Sequence, residues 1–372
     1  PIAERELNEL RDFANEKGGL KQADFMPWDS AYWSDKLKKE KFDFNSEELK
    51  PYFKLENVID GVFQVAKKLY GLRFKERKDI PTYHEDVKTY EVLDEQDRHI
   101  AVFYGDFFPR AGKRSGAWMT EFREQSVQGG QDNRPHVSNV CNFSKPTETK
   151  PSLLTFNEVT TLFHEFGHGL HGMLSKCNYA SLSGPNVYWD FVELPSQILE
   201  NWAFEKDCLD LFATHFETGE KIPQDLIDKI KNTASFQEGL GTLRQISFSL
   251  LDMAWHTSTI TESTDVSEFE TKAMSKCQLL PKVEGSNMSV AFSHIFSGGY
   301  SAGYYSYKWA EVLDADAFEA FKEKGIFNKE VAKSFRENIL EKGGTENPMD
   351  LYKKFRGKAP SPDALLKRAG LV

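Results

Sequence analysis

Thr160-Thr161-Leu162-Phe163-His164-Glu165-Phe166-Gly167-His168-Gly169-Leu170-His171 is the stretch on which the reading of this chain turns. It holds the pattern H-E-x-x-H, filled by His164, Glu165 and His168. The spacing carries chemistry only in a helix. At about 3.6 residues per turn, positions i and i+4 share a face, so both imidazoles can reach one metal ion. Glu165 is offset around the helix and can address a water beside the metal rather than the metal itself. Leu162, Phe163, Phe166 and Leu170 supply an apolar face, and Asn157 before Glu158 and Val159 is the expected cap of a helix running to Met173. Gly167, Gly169 and Gly172 each cost that helix up to about 1 kcal/mol relative to Ala. Three glycines kept in one helix predict that something packs very close to its backbone. The competing reading is a buried helix whose histidines are merely satisfied core or surface residues.

A zinc site needs a third protein ligand. A longer histidine motif, with Gly three residues after the second His and a further His three residues beyond, fails here: His171 and Leu174 occupy those positions. His171 itself lies seven residues after His164, about 10.5 Å along a helix, whereas the ligands of one zinc each sit about 2 Å from it. A carboxylate from a neighbouring segment remains. The best supply is Trp189-Asp190-Phe191-Val192-Glu193-Leu194-Pro195-Ser196-Gln197, followed by Ile198-Leu199-Glu200-Asn201-Trp202. In a helix, Asp190, Glu193, Gln197 and Glu200 form one stripe among apolar residues, which is costly unless paired or metal-bound. Pro195 demands a helix start or a kink just there. Composition does not choose among Asp190, Glu193 and Glu200.

Taken together, His164–His171, Ser183-Gly184 and Asp190–Gln197 closely resemble the thimet oligopeptidase and oligopeptidase A family of zinc metallopeptidases. Further matching segments are Tyr83–Val87, Gly112–Met119, Phe292-Ser293-His294, Gly298–Tyr307 and Phe355–Pro360, so the resemblance spans most of the chain. It implies that Glu193 is the third ligand of one zinc ion. Family members are substantially longer, with an N-terminal helical half forming the other wall of a substrate channel. This chain, beginning at Pro1 without Met, is read as residues 1–372 of a single catalytic domain, the C-terminal half of a longer family chain.

At 372 residues and a formal charge of −10, the composition is that of a globular protein able to bury a large core, rich in aromatics with 29 Phe and 13 Tyr. The negative balance argues against nucleic acid and anionic membranes, which call for basic patches. No apolar run reaches the ~18 residues of a membrane span. Cys141, Cys177, Cys208 and Cys277 contain no C-x-x-C pair and read as reduced thiols of a cytoplasmic protein.

Along the chain, Ala3–Lys17 is an expected helix stopped by Gly18-Gly19, followed by shorter helices at Trp28–Lys39 and Ser46–Phe53 and one at Leu55–Leu69. Strands are expected at Leu72–Glu76, Val87–Leu93, Ile100–Phe108 and Val137–Phe143, with Asp94–Asp97 as a hairpin turn and Gly112–Gly130 as loop. Beyond Glu193 the chain reads as helical: from Pro223, then Phe236–His256, Ser267–Cys277, Gly303–Lys322, Asn328–Glu341 and Pro348–Phe355. The expected fold class is mainly α, an α+β zincin-like arrangement with a small β-sheet beside the H-E-x-x-H helix.

The remaining chemistry concerns the oxyanion formed when water attacks a peptide carbonyl, which needs donors besides the metal. The segment Gly298–Tyr307 suits this, because its glycines permit a mobile loop and phenols stay protonated near neutral pH. An aromatic packing patch is the bland alternative. The family resemblance implies that Tyr300, Tyr304 and Tyr307 face substrate with His294 nearby, while Tyr305 points elsewhere; Tyr307 is the expected oxyanion donor. Lys113-Arg114-Ser115-Gly116 is a candidate for holding a substrate carboxylate, against a solvated turn. Asp190 and Glu200 are candidates for orienting the imidazoles. His84, His99, His136, His215 and His256 read as structural or surface residues. The expected function is an oligopeptidase A-like zinc metalloendopeptidase acting on short unfolded peptides, with Glu165 as general base. The alternatives are a dipeptidyl carboxypeptidase of the same family and, from another class, a non-catalytic peptide-binding half-enzyme that requires its N-terminal half as partner.

Overall fold

The computed structural model describes residues 1–372. In chain order its helices and strands are α1 (Ile2–Gly18), α2 (Pro27–Phe42), α3 (Leu55–Tyr70), β1 (Arg73–Glu76), β2 (Lys88–Leu93), β3 (His99–Asp106), β4 (Trp118–Arg123), β5 (Ser126–Gln128), β6 (Gln131–Asn133) and β7 (His136–Val140). Then come α4 (Phe156–Met173), α5 (Trp189–Val192), α6 (Leu194–Glu200), α7 (Lys206–Leu209), α8 (Gln224–Thr233), α9 (Glu238–Thr257), α10 (Val266–Met274), α11 (Ser293–Phe296), α12 (Ser306–Lys324), α13 (Lys329–Phe335), α14 (Pro348–Arg356) and α15 (Asp363–Arg368). The fold is mainly helical, as the sequence predicts, with a small five-stranded mixed sheet and a two-stranded β5–β6 ribbon. Two compact units divide the chain: one comprises 1–45, 229–309 and 363–372, the other 46–228 and 310–362.

The second unit carries the sheet, in the order β1-β2-β3-β7-β4. Only the β3–β7 pair is parallel. The expected turn at Asp94–Asp97 joins β2 to β3. Buried Asp94 accepts the backbone N–H groups of Gln96 and Arg98, both at 2.9 Å, and Asp97 takes the left-handed conformation. An aromatic core seals α3 and α4 onto the sheet: Phe63 stacks on Phe74 at 4.0 Å, and Phe103 meets Phe166 edge-on at 5.7 Å. Each such side chain, once buried, stabilises by about 1.5–3 kcal/mol.

In the first unit, Leu7, Leu10 and Ala14 of α1 pack with Trp33 and Leu37 of α2 and with Phe236 and Leu240 around α9. Glu6 caps α9, accepting the N–H of Gly239 at 3.2 Å and of Leu240 at 2.8 Å.

Several local expectations are corrected. The glycine-rich Gly112–Gly130 is not all loop, since β4 and β5 lie within it. Flanking glycines disguise the strand Trp118–Arg123, which pairs antiparallel with β7. Ser46–Phe53 is two single 3-10 turns rather than a helix, because Pro51 offers no N–H to continue one. Asn157 is not the cap of α4. Thr155 is: its hydroxyl accepts the N–H of Glu158 at 3.2 Å, while Glu158 Oε2 accepts the N–H of Thr155 at 2.8 Å. The helix expected from Gly303 starts at Ser306, after a turn in which Ala302 is left-handed at φ 53°.

Candidate functional site

The second unit brings the H-E-x-x-H helix against the carboxylate segment through glycine. A Cβ on Gly167 would lie 2.3 Å from the carbonyl oxygen of Pro195 and 2.7 Å from Ser196 Cα. On the other flank, Asn139 of β7 donates from Nδ2 to the carbonyl of Glu165 at 2.7 Å, and a Cβ on Gly169 would come within 3.3 Å of Asn139 Oδ1. A Cβ on Gly172 would meet Glu121 Oε1 of β4 at 2.5 Å. The close packing predicted from the three glycines is thus observed on separate partners. At the end of α4, Arg134 donates to the carbonyls of Met173 at 2.8 Å and Ser175 at 3.1 Å, placing a cation at the negative end of the helix dipole.

The carboxylate segment is not one continuous helix. α5 ends at Val192 and α6 begins at Leu194, with Pro195 in its first turn where a missing N–H costs nothing. Glu193 occupies the break, and its side chain is 1% exposed. Its Oε2 lies 3.2 Å from His164 Nε2 and 3.2 Å from His168 Nε2. All three donor atoms lie within 4.8 Å of one another. Atoms bonded to one tetrahedral zinc at about 2.0–2.1 Å stand about 3.3 Å apart, so the two nitrogen–oxygen separations match the edges of such a site. Of the three carboxylates left open by the sequence, Glu193 is the one that joins both imidazoles.

Neighbouring groups fix these donors. Glu200 Oε1 is 2.7 Å from His164 Nδ1, so Nδ1 carries a hydrogen and Nε2 is the nitrogen left to give a lone pair to a metal ion once its own proton is released. Ser196 Oγ donates to Glu193 Oε2 at 2.9 Å. Sequence reading named Glu200 among the orienting candidates and missed Ser196 and Asn139. Ser196, three residues after Glu193, carries a local signal; Asn139 carries none.

Electrostatics favour a cation here. Burial opposes charge on His164, yet the carboxylates of Glu193 and Glu200 outweigh it and hold the imidazole well above its ordinary range. Burial likewise opposes charge on Glu193, but His168 and His164 hold its carboxyl well below the usual value. A buried carboxylate kept ionised among imidazoles favours positive charge at this point, and a metal ion would take the place of the imidazole protons there. Glu165 is pushed up by burial against the pull of His164 and His168, and its Oε2 is buried without a hydrogen-bond partner. His171, on the same helix, is wholly buried and pushed down to about 3 by that burial.

Lys113 is no substrate ligand. Its side chain is 3% exposed and is locked onto Asp106 Oδ1 at 3.0 Å and onto the Phe108 carbonyl at 2.7 Å. Arg110 grips the same Asp106 with two bonds of 2.7 and 2.8 Å, and Tyr83 donates to it at 2.9 Å. The motif residues Tyr83 and Lys113 therefore serve one buried ion pair.

In the first unit, His294 and three tyrosines form an aromatic cluster. Tyr300 and Tyr307 stack at 5.0 Å, Tyr304 meets Tyr307 at 5.1 Å, and His294 lies 5.8 to 6.3 Å from all three rings. Tyr304 is buried, and its hydroxyl donates to Gln245 Oε1 at 3.1 Å. Tyr305 points outward, 43% exposed.

The chain resembles known proteins over its whole length. The description "Peptidase family M3" matches residues 1–371. Oligopeptidase A of Escherichia coli (strain K12) is 44% identical over 375 residues, covering 100% of this chain and 55% of that protein. Dipeptidyl carboxypeptidase of the same organism is 43% identical over 349 residues, covering 93% of this chain and 51% of that protein. The chain thus spans about half the length of the curated relatives it matches. Among solved structures, an M32 carboxypeptidase from Deinococcus radiodurans R1 is similar in fold, with a TM-score of 0.51 at 15% identity over 99% of this chain and 73% of that one. No helix is long and apolar enough to cross a membrane.

Proposed function

Because the chain belongs to peptidase family M3, a family of metallopeptidases, we propose that it provides the catalytic part of a zinc-dependent endopeptidase that hydrolyses short, unfolded peptides in the manner of oligopeptidase A. The observation that carries this reading is the convergence of His164 Nε2, His168 Nε2 and Glu193 Oε2, with a buried and unpartnered Glu165 oxygen on the same helix. These three residues would hold one zinc ion. When bound, zinc supplies Lewis acidity, polarising the scissile carbonyl and bringing the pKa of water toward about 7.

The chain's own groups do the remaining work. Glu165 accepts the proton of the attacking water and returns it to the departing amine. A carboxyl pushed up by burial, as this one is, holds a proton more readily than a solvated glutamate and is suited to that shuttle. Glu200 and Ser196 keep His164 and Glu193 in register. We assign the oxyanion donor to Tyr307, with Tyr300 and His294 beside it.

A second reading, dipeptidyl carboxypeptidase, rests on the near-equal identity to a relative of that name. The two differ in the cleavage products of a peptide blocked at its C-terminus, which an endopeptidase still cuts internally. The function is tested by metal analysis and turnover of two variants. Glu165→Gln keeps its shape but accepts no proton, so it should retain one zinc per chain and lose nearly all turnover. His164→Ala should lose zinc. Near-normal turnover in the first, or full zinc stoichiometry in the second, would sink the assignment.

A further inference from the structure

Asp252 sits in α9 with its side chain withdrawn from water, 0% exposed. A carboxylate so buried is costly unless every lone pair facing the protein finds a donor. Here the donors come from one turn, the one that precedes α12. Oδ1 accepts the backbone N–H of Ala302 at 2.9 Å and Oδ2 accepts that of Tyr304 at 2.9 Å. One helical turn along, His256 Nδ1 lies 2.8 Å from Asp252 Oδ1 and 2.9 Å from the Asp252 carbonyl oxygen. Both are acceptors, so Nδ1 carries the hydrogen and His256 steadies the carboxylate.

The turn being held is strained. Ala302 has φ 53°, a left-handed conformation that a residue with a Cβ adopts only where its surroundings impose it. Local bonds add to these ties: Tyr300 N–H donates to the His294 carbonyl at 2.9 Å and Gly303 N–H to the Tyr300 carbonyl at 2.9 Å. Tyr304 adds a second anchor on α9, where Gln245 receives its hydroxyl and Phe248 packs edge-on at 5.8 Å. Gln245, Phe248 and Asp252 are spaced three and four apart, so they share one face of α9. Tyr304 is thus pinned inward as a peg, with Tyr300 on the same turn stacked on Tyr307 in the first turn of α12.

We propose that Asp252 is a positioning residue for the reaction. By clamping the N–H groups of Ala302 and Tyr304, it holds the turn in the one conformation that presents Tyr307, Tyr300 and His294 together. This rests on the reading above that the aromatic cluster serves catalysis.

The test uses the zinc-loaded, full-length protein and a quenched fluorescent peptide. Asp252→Asn has the shape of Asp252 but one acceptor oxygen; its amide nitrogen would face a backbone N–H, donor against donor. It should retain zinc and lower kcat about 10²-fold with KM nearly unchanged, the scale expected when a catalytic group is displaced by about an ångström. Amides of residues 300–305 should exchange with solvent at least about tenfold faster, while those of α4 keep their rates. The decisive measurement is Asp252→Asn combined with Tyr307→Phe: if Asp252 acts through the group that includes Tyr307, the loss in the double variant falls at least about tenfold short of the product of the two single losses. Unchanged kcat and exchange in Asp252→Asn, or losses that multiply in the double variant, would overturn the proposal. If Asp252→Asn fails to fold, His256→Phe removes only the support of the carboxylate and should lower kcat about 3–10-fold with faster exchange of the same amides. Wild-type kcat and exchange there would overturn it equally. A silent Tyr307→Phe would instead refute the catalytic reading of the cluster, and the exchange rates would still report whether Asp252 holds the turn.

Discussion

Gly167 and Pro195 meet backbone to backbone: a Cβ on Gly167 would stand 2.3 Å from the Pro195 carbonyl oxygen. No side chain intervenes between α4 and α6 at that point, and Glu193, two residues before Pro195, is thereby carried to the histidine pair on α4. The crossing distance of the two helices, rather than the reach of a flexible side chain, sets the donor geometry.

Gly167→Ala therefore tests the geometry directly. Backbone cannot yield as a side-chain tip can, so the added methyl must push α6 away. Overpacking of this kind typically costs about 1–3 kcal/mol. We expect a lower Tm together with weaker zinc retention against a chelator. A variant with the wild-type Tm and zinc affinity would show that the contact is not tight.

Glu200 is expected to act on His164 and not on the metal itself. Glu200→Gln can turn an amide NH2 toward Nδ1 and favour the wrong tautomer. Loss of such a partner typically lowers metal affinity 10–100-fold. Zinc competition should show a shift on that scale with one ion still bound at saturation. An unaltered affinity would mean that the 2.7 Å contact does not orient the ring.

The two tyrosines Tyr305 and Tyr307 make an internal pair of controls. Tyr307→Phe deletes one hydroxyl and keeps the ring stacked on Tyr300. Losing an oxyanion donor lowers turnover about 10²–10³-fold with little effect on ground-state binding. Tyr305→Phe, at an outward-facing position, should be nearly silent. Equal small effects would favour mere aromatic packing.

His171 gives the fold an acid-sensitive component. Burial lowers its imidazole to about 3, against about 6.5 in an unfolded chain. Between those values the unfolded chain takes up a proton that the folded one refuses, so stability falls as pH drops through about 6.5 and the loss is complete near 3. His171→Leu removes that linkage. Measured from pH 6 to 4, the decline in its unfolding free energy should be shallower than wild type by up to about 1.4 kcal/mol per pH unit. Parallel declines would show that His171 is charged or solvated in the folded state.

Much of this was written locally. The i, i+4 histidines share one helix face with Glu165 offset from it because helical periodicity needs only neighbouring residues. The three glycines announced a close approach, and Pro195 announced a helix start or a kink beside Glu193, of which the structure shows the start. Even the cap of α4 is spelled out as Thr155-Phe156-Asn157-Glu158, a capping box hidden from a reading that took the nearer Asn157. What Gly167, Gly169 and Gly172 actually touch was not legible, since Pro195, Asn139 and Glu121 come from three different elements.

The sequence by itself determined the i, i+4 histidine pair, the offset Glu165 and a mainly helical protein, all properties of short-range spacing. Only the tertiary structure decided which carboxylate completes the site. Asp190, Glu193 and Glu200 share a stripe only if their helix is unbroken, and it is broken at Glu193, so a carboxylate in that break reaches both imidazoles while Glu200, about two turns further, reaches only the far nitrogen of His164. The same holds for Lys113, exposed by its glycine-rich context yet buried on Asp106. Residues distant in sequence meet only once the core has closed, and their pairing energy depends on burial that no local pattern records.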